Sequence, residues 1–225
     1  MTDTADLLDC IELETGPNPT HAVIWLHGLG ADANDFVPVV PELRLGATPP
    51  VRFVFPNAPV QPVTINGGMA MRSWYDILVL DLVRQEDANG IRASEAAVRA
   101  LIARENARGI PTSRIFLAGF SQGCAMTLHT GLRLDEKLGG MIALSGYLPL
   151  IDLAEAERHD ANRDTPIFMA HGLHDPVVNI ARAEASRARL EALGYDVRWH
   201  TYPMPHSVCL EEITAIGDFL REQTR

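Results

Sequence analysis

Residues 114 to 126 read Arg-Ile-Phe-Leu-Ala-Gly-Phe-Ser-Gln-Gly-Cys-Ala-Met, and this stretch decides the fold. The apolar run at 115–118 predicts a buried strand, and apolar residues recur at helical spacing after it: Ala125, Met126, Leu128 and Leu132. Ser121 stands in the tight turn between them. Glycine is needed at positions 119 and 123, because side chains there would collide with the neighbouring strand and helix. An alternative is that Ser121 merely caps the following helix.

Length and charge limit the kind of protein this is. The chain has 225 residues, and 29 acidic residues outnumber 19 Lys and Arg, which gives a formal net charge of −10. No linker or internal repeat divides the sequence, so we expect residues 1–225 to form a single domain. The acidic balance argues against nucleic acid as a partner, because phosphate binding needs clustered Lys and Arg. It also argues against electrostatic docking on anionic membranes.

The cysteines and the N-terminus predict a cytoplasmic location. Cys10, Cys124 and Cys209 are far apart in sequence and lack metal-type pairing, which is typical of free thiols in a reducing compartment. Acidic residues stand where a signal peptide would carry basic ones. No apolar run is long enough to span a bilayer, so we expect no stable membrane insertion.

Apolar runs that alternate with helical patterns predict an α/β fold with a mostly parallel central sheet and helices on both faces. The predicted strands lie around 11–13 and at 22–26, 51–55, 115–118, 141–145, 167–170 and 197–202. The predicted helices run from Asp32, Asn34 or Asp35 to Leu43, over 90–107, after Ser121, over 180–193 and over 210–220. The prolines of 56–62 predict a segment without regular structure. The composition of 63–82 predicts a surface loop that folds over an apolar region. The connection 150–165 is too short for a large cap domain.

Polar residues follow the predicted strands at the places where parallel strands end. His27-Gly-Leu-Gly30 follows the first buried strand, and Ser121, Asp175 and His206 follow three later ones. In open parallel sheets the chemistry gathers beyond the carboxyl ends of the strands. The chain order Ser, Asp, His is the order expected when three such loops meet above one sheet.

These residue types suit acyl transfer. A serine hydroxyl needs a neutral imidazole to take its proton, a role we assign to His206. The imidazolium then needs a carboxylate, for which Asp175 is the candidate. The tetrahedral intermediate carries an oxyanion that requires preorganised donors, and the backbone amides of Leu29 and Gln122 are the candidates.

Other residues compete for these roles. The other histidines we consider for the base are His27, His171, His174 and His129. The first three lie on loops in the wrong order for the base, and the last is mid-helix. Asp152 is a reserve for Asp175. The cluster formed by His171, His174 and Asp175 lacks a further ligand at metal-site spacing, so we predict no metal site.

Several separated motifs resemble the carboxylesterase and acyl-protein thioesterase (lysophospholipase-like) family of α/β-hydrolases. They are Trp25-Leu-His-Gly-Leu-Gly30, Pro56-Asn-Ala-Pro-Val60 with Pro62-Val-Thr64, Ser73-Trp-Tyr-Asp76, Gly119-Phe-Ser-Gln-Gly123, His171-Gly172 with Asp175-Pro-Val-Val178, and His206. The resemblance implies an α/β-hydrolase without a large cap that cleaves esters or thioesters with no cofactor. It also implies that Ser121 is the nucleophile, Asp175 the acid and His206 the base. The implied oxyanion donors are the amides of Leu29 and Gln122. Arg72, Asn179 and Pro205 depart from the family pattern, which affects the shape of the entrance.

The apolar residues near this site are candidates for substrate binding. They are Met69 and Trp74 in the predicted loop and Val177 in the motif that follows Asp175. For the loop, ordinary packing or a homodimer contact is an equal alternative to an acyl-chain wall.

The function we predict is hydrolysis of carboxylic esters of short to medium acyl chains through an acyl-enzyme. An acyl-protein thioesterase or lysophospholipase acting on long acyl chains is the alternative within enzymes. A non-catalytic ligand-binding receptor on a hydrolase fold is the alternative outside them.

Overall fold

The computed structural model describes residues 7–78 and 86–225. The strands are β1 Cys10–Glu14, β2 His21–Leu26, β3 Val51–Pro56, β4 Val60–Val63, β5 Met69–Arg72, β6 Ile115–Phe120, β7 Gly140–Leu144, β8 Ile167–Gly172 and β9 Val197–Tyr202. The main sheet has seven strands in the order β1-β3-β2-β6-β7-β8-β9. Its neighbours are parallel except β1, which is antiparallel to β3. The predicted mostly parallel sheet is confirmed.

Helices cover both faces of this sheet, as predicted. They are α1 Ala88–Ala107, α2 Gln122–Arg133, α3 Ala154–Glu157, α4 Ile180–Ala192 and α5 Leu210–Gln223. Successive residues of β2 point to opposite faces: Ile24 belongs to the same buried cluster as side chains of α1, α2 and α4, and Trp25 belongs to the same buried cluster as side chains of α5. Two buried faces explain why the central strands read as continuous apolar runs.

The segment before β3 is not the α-helix that the apolar spacing predicted. Residues Val37–Leu43 form a 3-10 helix that begins after Phe36 and contains Pro41. Asp32 accepts a hydrogen bond from the backbone N–H of Asn34 at 2.8 Å, which closes a turn in the loop instead of capping a helix. A proline inside the segment removes a backbone donor, and this favours the shorter 3-10 form.

The proline-rich stretch also departs from expectation, because part of it is regular. β4 pairs with β5 as an antiparallel hairpin in which Pro62 lies opposite Ala70. A two-stranded hairpin has only outer edges, and proline is tolerated on an edge strand. The first half of the predicted loop at 63–82 is therefore this hairpin, and its last part, from 79 onward, lies outside the described residues.

Three further expectations concern the cysteines, membrane-spanning helices and the connection at 150–165. All three cysteines are unpaired, as predicted. Within 7–78 and 86–225, no helix combines the length and the apolar character needed to cross a bilayer. The connection at 150–165 holds the short helix α3 and a 3-10 turn, Asp160–Asn162.

Glu212 lies in the first turn of α5 and is completely buried. Burial raises its pKa to about 8, and an interaction with the Cys209 backbone opposes only part of this rise. The folded state therefore holds a proton on this carboxyl at pH values where the unfolded chain has released it.

Because the pKa of Glu212 is higher in the folded state, we expect the protein to become less stable as pH rises. Because the folded state binds more protons than the unfolded state between about pH 5 and about pH 8, Glu212 lowers the free energy of unfolding by about 1.4 kcal/mol for each pH unit of increase in that window. Urea unfolding at several pH values measures the slope. Glu212→Gln should remove this part of the slope, and Glu211→Gln, on an exposed neighbour, should keep it. Equal slopes in wild type and Glu212→Gln would contradict the assignment.

Candidate active site

Ser121 lies in the turn between β6 and α2, with φ of +57° and ψ of −115°. This is a strained conformation for a residue with a side chain. A Cβ on Gly119 would lie 2.2 Å from the Gly123 carbonyl oxygen, and one on Gly123 would lie 2.2 Å from the Leu26 carbonyl oxygen. The predicted need for both glycines is confirmed, because the turn presses against helix α2 on one side and strand β2 on the other.

His206 forms hydrogen bonds with both other members of the predicted triad. Its Nε2 lies 2.9 Å from Ser121 Oγ, and its Nδ1 lies 2.6 Å from Asp175 Oδ2. The three residues follow β6, β8 and β9, so the parallel sheet brings their loops to one edge. The Phe120 ring, whose centroid lies 4.7 Å from that of His206, packs against the imidazole.

Asp175 is held by backbone amides on the side away from His206. Its side chain is buried, and Oδ1 accepts hydrogen bonds from the N–H groups of Val177 at 2.8 Å and Val178 at 2.9 Å. With Oδ1 occupied in this way, Oδ2 is directed at the imidazole. The carboxylate therefore has one orientation in which both oxygens have donors.

His171 also belongs to the site, although the sequence assigned it no role beyond a place in a family motif and rejected it as a base and as a metal ligand. It is completely buried, and its Nε2 lies 2.8 Å from the Val178 carbonyl oxygen and 3.4 Å from Asp175 Oδ2. Burial lowers the pKa of this imidazole. As a neutral ring that donates from Nε2, it ties the end of β8 to the loop that carries the acid.

The glycine-rich loop after β2 lies against the serine. A Cβ on Gly28, the residue before Leu29, would be 3.4 Å from Ser121 Cβ, so this part of the loop packs against the nucleophile. The Gln122 amide is the first of α2, where the N–H groups have no partner inside the helix. Among the described residues, neither amide donates to a protein acceptor. Two backbone donors near a serine hydroxyl can stabilise an oxyanion.

The three candidate substrate-binding residues have different surroundings. Met69 is 64% exposed and Val177 is 62% exposed. Trp74 is only 1% exposed, and its indole N–H donates to the His27 carbonyl oxygen at 2.9 Å. The prediction for Trp74 is wrong in this structure, because a side chain that is enclosed on all sides has no face for a substrate. Hydrophobic composition alone could not separate an exposed wall from a buried anchor.

The hairpin of β4 and β5 borders the glycine-rich loop. The N–H of Gly30 donates to the Arg72 carbonyl oxygen at 2.9 Å, and the sulfur of Met71 would lie 3.7 Å from a Cβ on Gly30. The exposed Met69 is therefore on an element that adjoins the site. The sequence did not predict this hairpin, because strand pairing through a proline-rich segment has no local signal.

Comparison with known proteins agrees with this geometry. The profile of the phospholipase/carboxylesterase family matches residues 9–224, which is nearly the whole chain. The chain belongs to this family. Its resemblance to carboxylesterases and acyl-protein thioesterases, first seen in the separated motifs, is thus confirmed.

Relatives of this family member are similar over most of their length. Acyl-protein thioesterase 1 of Neurospora crassa is 46% identical over 91% of this chain and 87% of that protein. The crystal structure of esterase PE8 has a TM-score of 0.82 at 31% identity and covers 96% of this chain and 99% of that one. That of Zea mays acyl-protein thioesterase 2 has the same TM-score at 25% identity, covering 96% and 99%. The phospholipase/carboxylesterase family member described here is an α/β-hydrolase that acts on ester or thioester bonds.

Proposed function

We propose that Ser121, His206 and Asp175 carry out acyl transfer in this hydrolase. The observation that carries the proposal is the position of the His206 imidazole, within hydrogen-bonding distance of both the hydroxyl and the carboxylate. Ser121 Oγ attacks the acyl carbon, and His206 Nε2 takes the hydroxyl proton. Asp175 stabilises the imidazolium that results.

The acyl-enzyme forms when the tetrahedral intermediate collapses. The oxyanion of the tetrahedral intermediate is stabilised by the backbone N–H groups of Leu29 and Gln122. His206 gives its proton to the leaving alcohol or thiol as the C–O or C–S bond breaks. Water then attacks the acyl-enzyme while His206 takes its proton, and collapse of this second intermediate releases the carboxylic acid and restores the Ser121 hydroxyl.

The substrate class we favour is an acyl thioester, with carboxylic esters as competing substrates. Relatives called acyl-protein thioesterase 1 reach 46% and 41% identity over more than nine-tenths of this chain. These names support the thioesterase alternative more strongly than the short to medium esters that the sequence first indicated. The reaction at Ser121 is the same for both, because only the leaving atom differs.

We place the acyl chain against Met69 and Val177, whose apolar side chains are exposed near the site. Each buried methylene contributes about 0.8 kcal/mol to binding, so contact with these residues matters more for long chains than for short ones. A homodimer contact through Met69 is the competing proposal. The free cysteines support a cytoplasmic location, and the match over 9–224 supports function as a single domain.

Chain-length profiling tests the acyl-chain wall. We expect kcat/KM to rise from acetyl to octanoyl esters and to be higher for an S-palmitoyl peptide than for a short-chain ester. Met69→Ser should lower kcat/KM for octanoyl and palmitoyl substrates about threefold to tenfold and leave acetyl hydrolysis unchanged.

The matched control is Leu153→Ser, another exposed apolar residue, which should leave the whole profile unchanged. If Met69 is a dimer contact instead, Met69→Ser will change the sedimentation coefficient and leave the chain-length profile as in wild type. Equal loss on acetyl and palmitoyl substrates would also contradict an acyl-chain wall.

A further inference from the structure

The two proposed oxyanion donors come from loops that are separated in sequence by more than ninety residues. Leu29 follows β2, and Gln122 follows β6. An oxyanion hole works only when both N–H groups lie about 2.7–3.1 Å from the place where the charge develops. The parallel pairing of β2 with β6 brings the two loops side by side, and contacts beyond the strand ends fix the positions of their amides. Residues 72–75, here called the bridging segment, make contacts with both loops.

On the side of Leu29, the bridging segment makes two hydrogen bonds. The Arg72 carbonyl oxygen accepts from the N–H of Gly30 at 2.9 Å, and the indole N–H of Trp74 donates to the His27 carbonyl oxygen at 2.9 Å. These two bonds hold the residues on either side of the Gly28-Leu29 pair. The Leu29 amide is thus fixed from both ends of its loop.

The His27 ring adds to the rigidity of this loop. Its Nε2 accepts from the N–H of Ala58 at 3.0 Å, and its Nδ1 lies 2.7 Å from the Gly28 carbonyl oxygen. Nδ1 therefore carries the proton and donates. Burial lowers the pKa of His27, which keeps the ring neutral in this arrangement.

On the other side, the buried side chain of Gln122 holds the same segment. Its Oε1 accepts from the N–H of Trp74 at 2.8 Å, and its Nε2 donates to the Tyr75 carbonyl oxygen at 2.6 Å. Nε2 also lies 3.1 Å from Ser73 Oγ. Gln122 therefore offers its backbone N–H to the oxyanion, and its side chain binds the bridging segment. That segment in turn binds the loop that carries Leu29.

We propose that Trp74 and the side chain of Gln122 are positioning residues that set the separation between the Leu29 and Gln122 amides. This inference rests on the proposed function. Trp74 is the centre of the connection, because its backbone N–H reaches Gln122 and its indole N–H reaches His27. Loss of the indole bond lets the Leu29 amide move relative to the oxyanion while the nucleophile and base stay in place.

The test compares two Trp→Phe variants. Trp74→Phe removes the indole N–H and should lower kcat for ester hydrolysis about tenfold, the scale of one buried hydrogen bond, with KM within about twofold of wild type. Trp25→Phe is the matched control: Trp25 is equally buried, and its indole nitrogen has no hydrogen-bond partner among the described residues. It should keep kcat within about twofold.

A trifluoromethyl ketone separates positioning from general loss of packing. Ser121 adds to its carbonyl, the hydroxyl proton passes to His206, and the hemiketal oxyanion occupies the oxyanion hole. Its inhibition constant should rise by the same factor as kcat falls in Trp74→Phe. Gln122→Glu keeps the backbone amide, but its carboxylate cannot donate to the Tyr75 carbonyl oxygen. This variant should also raise the inhibition constant.

Two results would overturn the proposal. One is a wild-type kcat and inhibition constant in both Trp74→Phe and Gln122→Glu, and the other is an equal loss in Trp25→Phe and Trp74→Phe. These outcomes are distinct from failure of the proposed function, which would appear as full activity in a Ser121→Ala variant.

Discussion

Replacing Ser121 with alanine is expected to lower kcat/KM for ester hydrolysis by a factor of about 10³ or more. The hydroxyl oxygen is the only non-hydrogen atom removed, and it is the atom that His206 Nε2 contacts at 2.9 Å. Without it no acyl-enzyme can form, so the burst of released alcohol should vanish together with the steady-state rate. Stopped-flow and steady-state assays with a p-nitrophenyl ester measure both.

The control for this substitution is the nearby serine at position 145. Ser145 is buried after β7, and its Oγ has no hydrogen-bond partner within the described part of the chain. Ser145→Ala therefore removes no protein hydrogen bond, and we expect it to keep activity and to react with a fluorophosphonate in a one-to-one ratio. Labelling at a residue other than Ser121 would refute the assignment of Ser121 as the nucleophile.

The second large effect is expected for Asp175→Asn, which should lower kcat about 10³-fold to 10⁴-fold. Asparagine can keep the oxygen that accepts from the amides of Val177 and Val178. It then turns an NH₂ group toward His206 Nδ1, which can no longer donate. The imidazole proton moves to Nε2, where it faces Ser121 Oγ, and the base cannot accept the hydroxyl proton.

Asp152→Asn is the comparison for this variant, because Asp152 was the reserve candidate for the acid. We expect Asp152→Asn to retain kcat within about twofold and Asp175→Asn to retain its melting temperature within a few degrees. A large loss in Asp152→Asn with normal activity in Asp175→Asn would reverse the assignment of the acid.

The sequence was informative wherever a feature depends on neighbours along the chain. A continuous apolar run precedes Ser121, and apolar residues at helical spacing follow it, so the sequence alone predicts a strand and then a helix. The tight turn between them explains why Gly119 and Gly123 have no room for side chains. The parallel sheet follows from continuous apolar runs such as β2, because a strand covered on both faces cannot alternate with polar residues. Polar residues placed after such strands then indicate the site.

Most of the predictions that failed depend on contacts between distant residues. The segment 36–43 is the exception, because Pro38 and Pro41 lie within it and are a local signal for the shorter 3-10 form. The hairpin of β4 and β5 depends on pairing of Pro62 with Ala70, which no local pattern reveals. Trp74 has the composition of a substrate-binding residue, but its hydrogen bonds reach across the fold to His27 and Gln122.

The sequence by itself determined the α/β architecture, the turn that presents Ser121, and which loops could supply an acid and a base. Local sterics and hydrophobic periodicity are sufficient for these conclusions, since they act over a few residues. Only the tertiary structure decided the orientation of His206 between its two partners, the burial of Trp74 and the exposure of Met69. Hydrogen-bond geometry and burial depend on which surfaces meet when distant segments pack together, and spacing along the chain does not specify this.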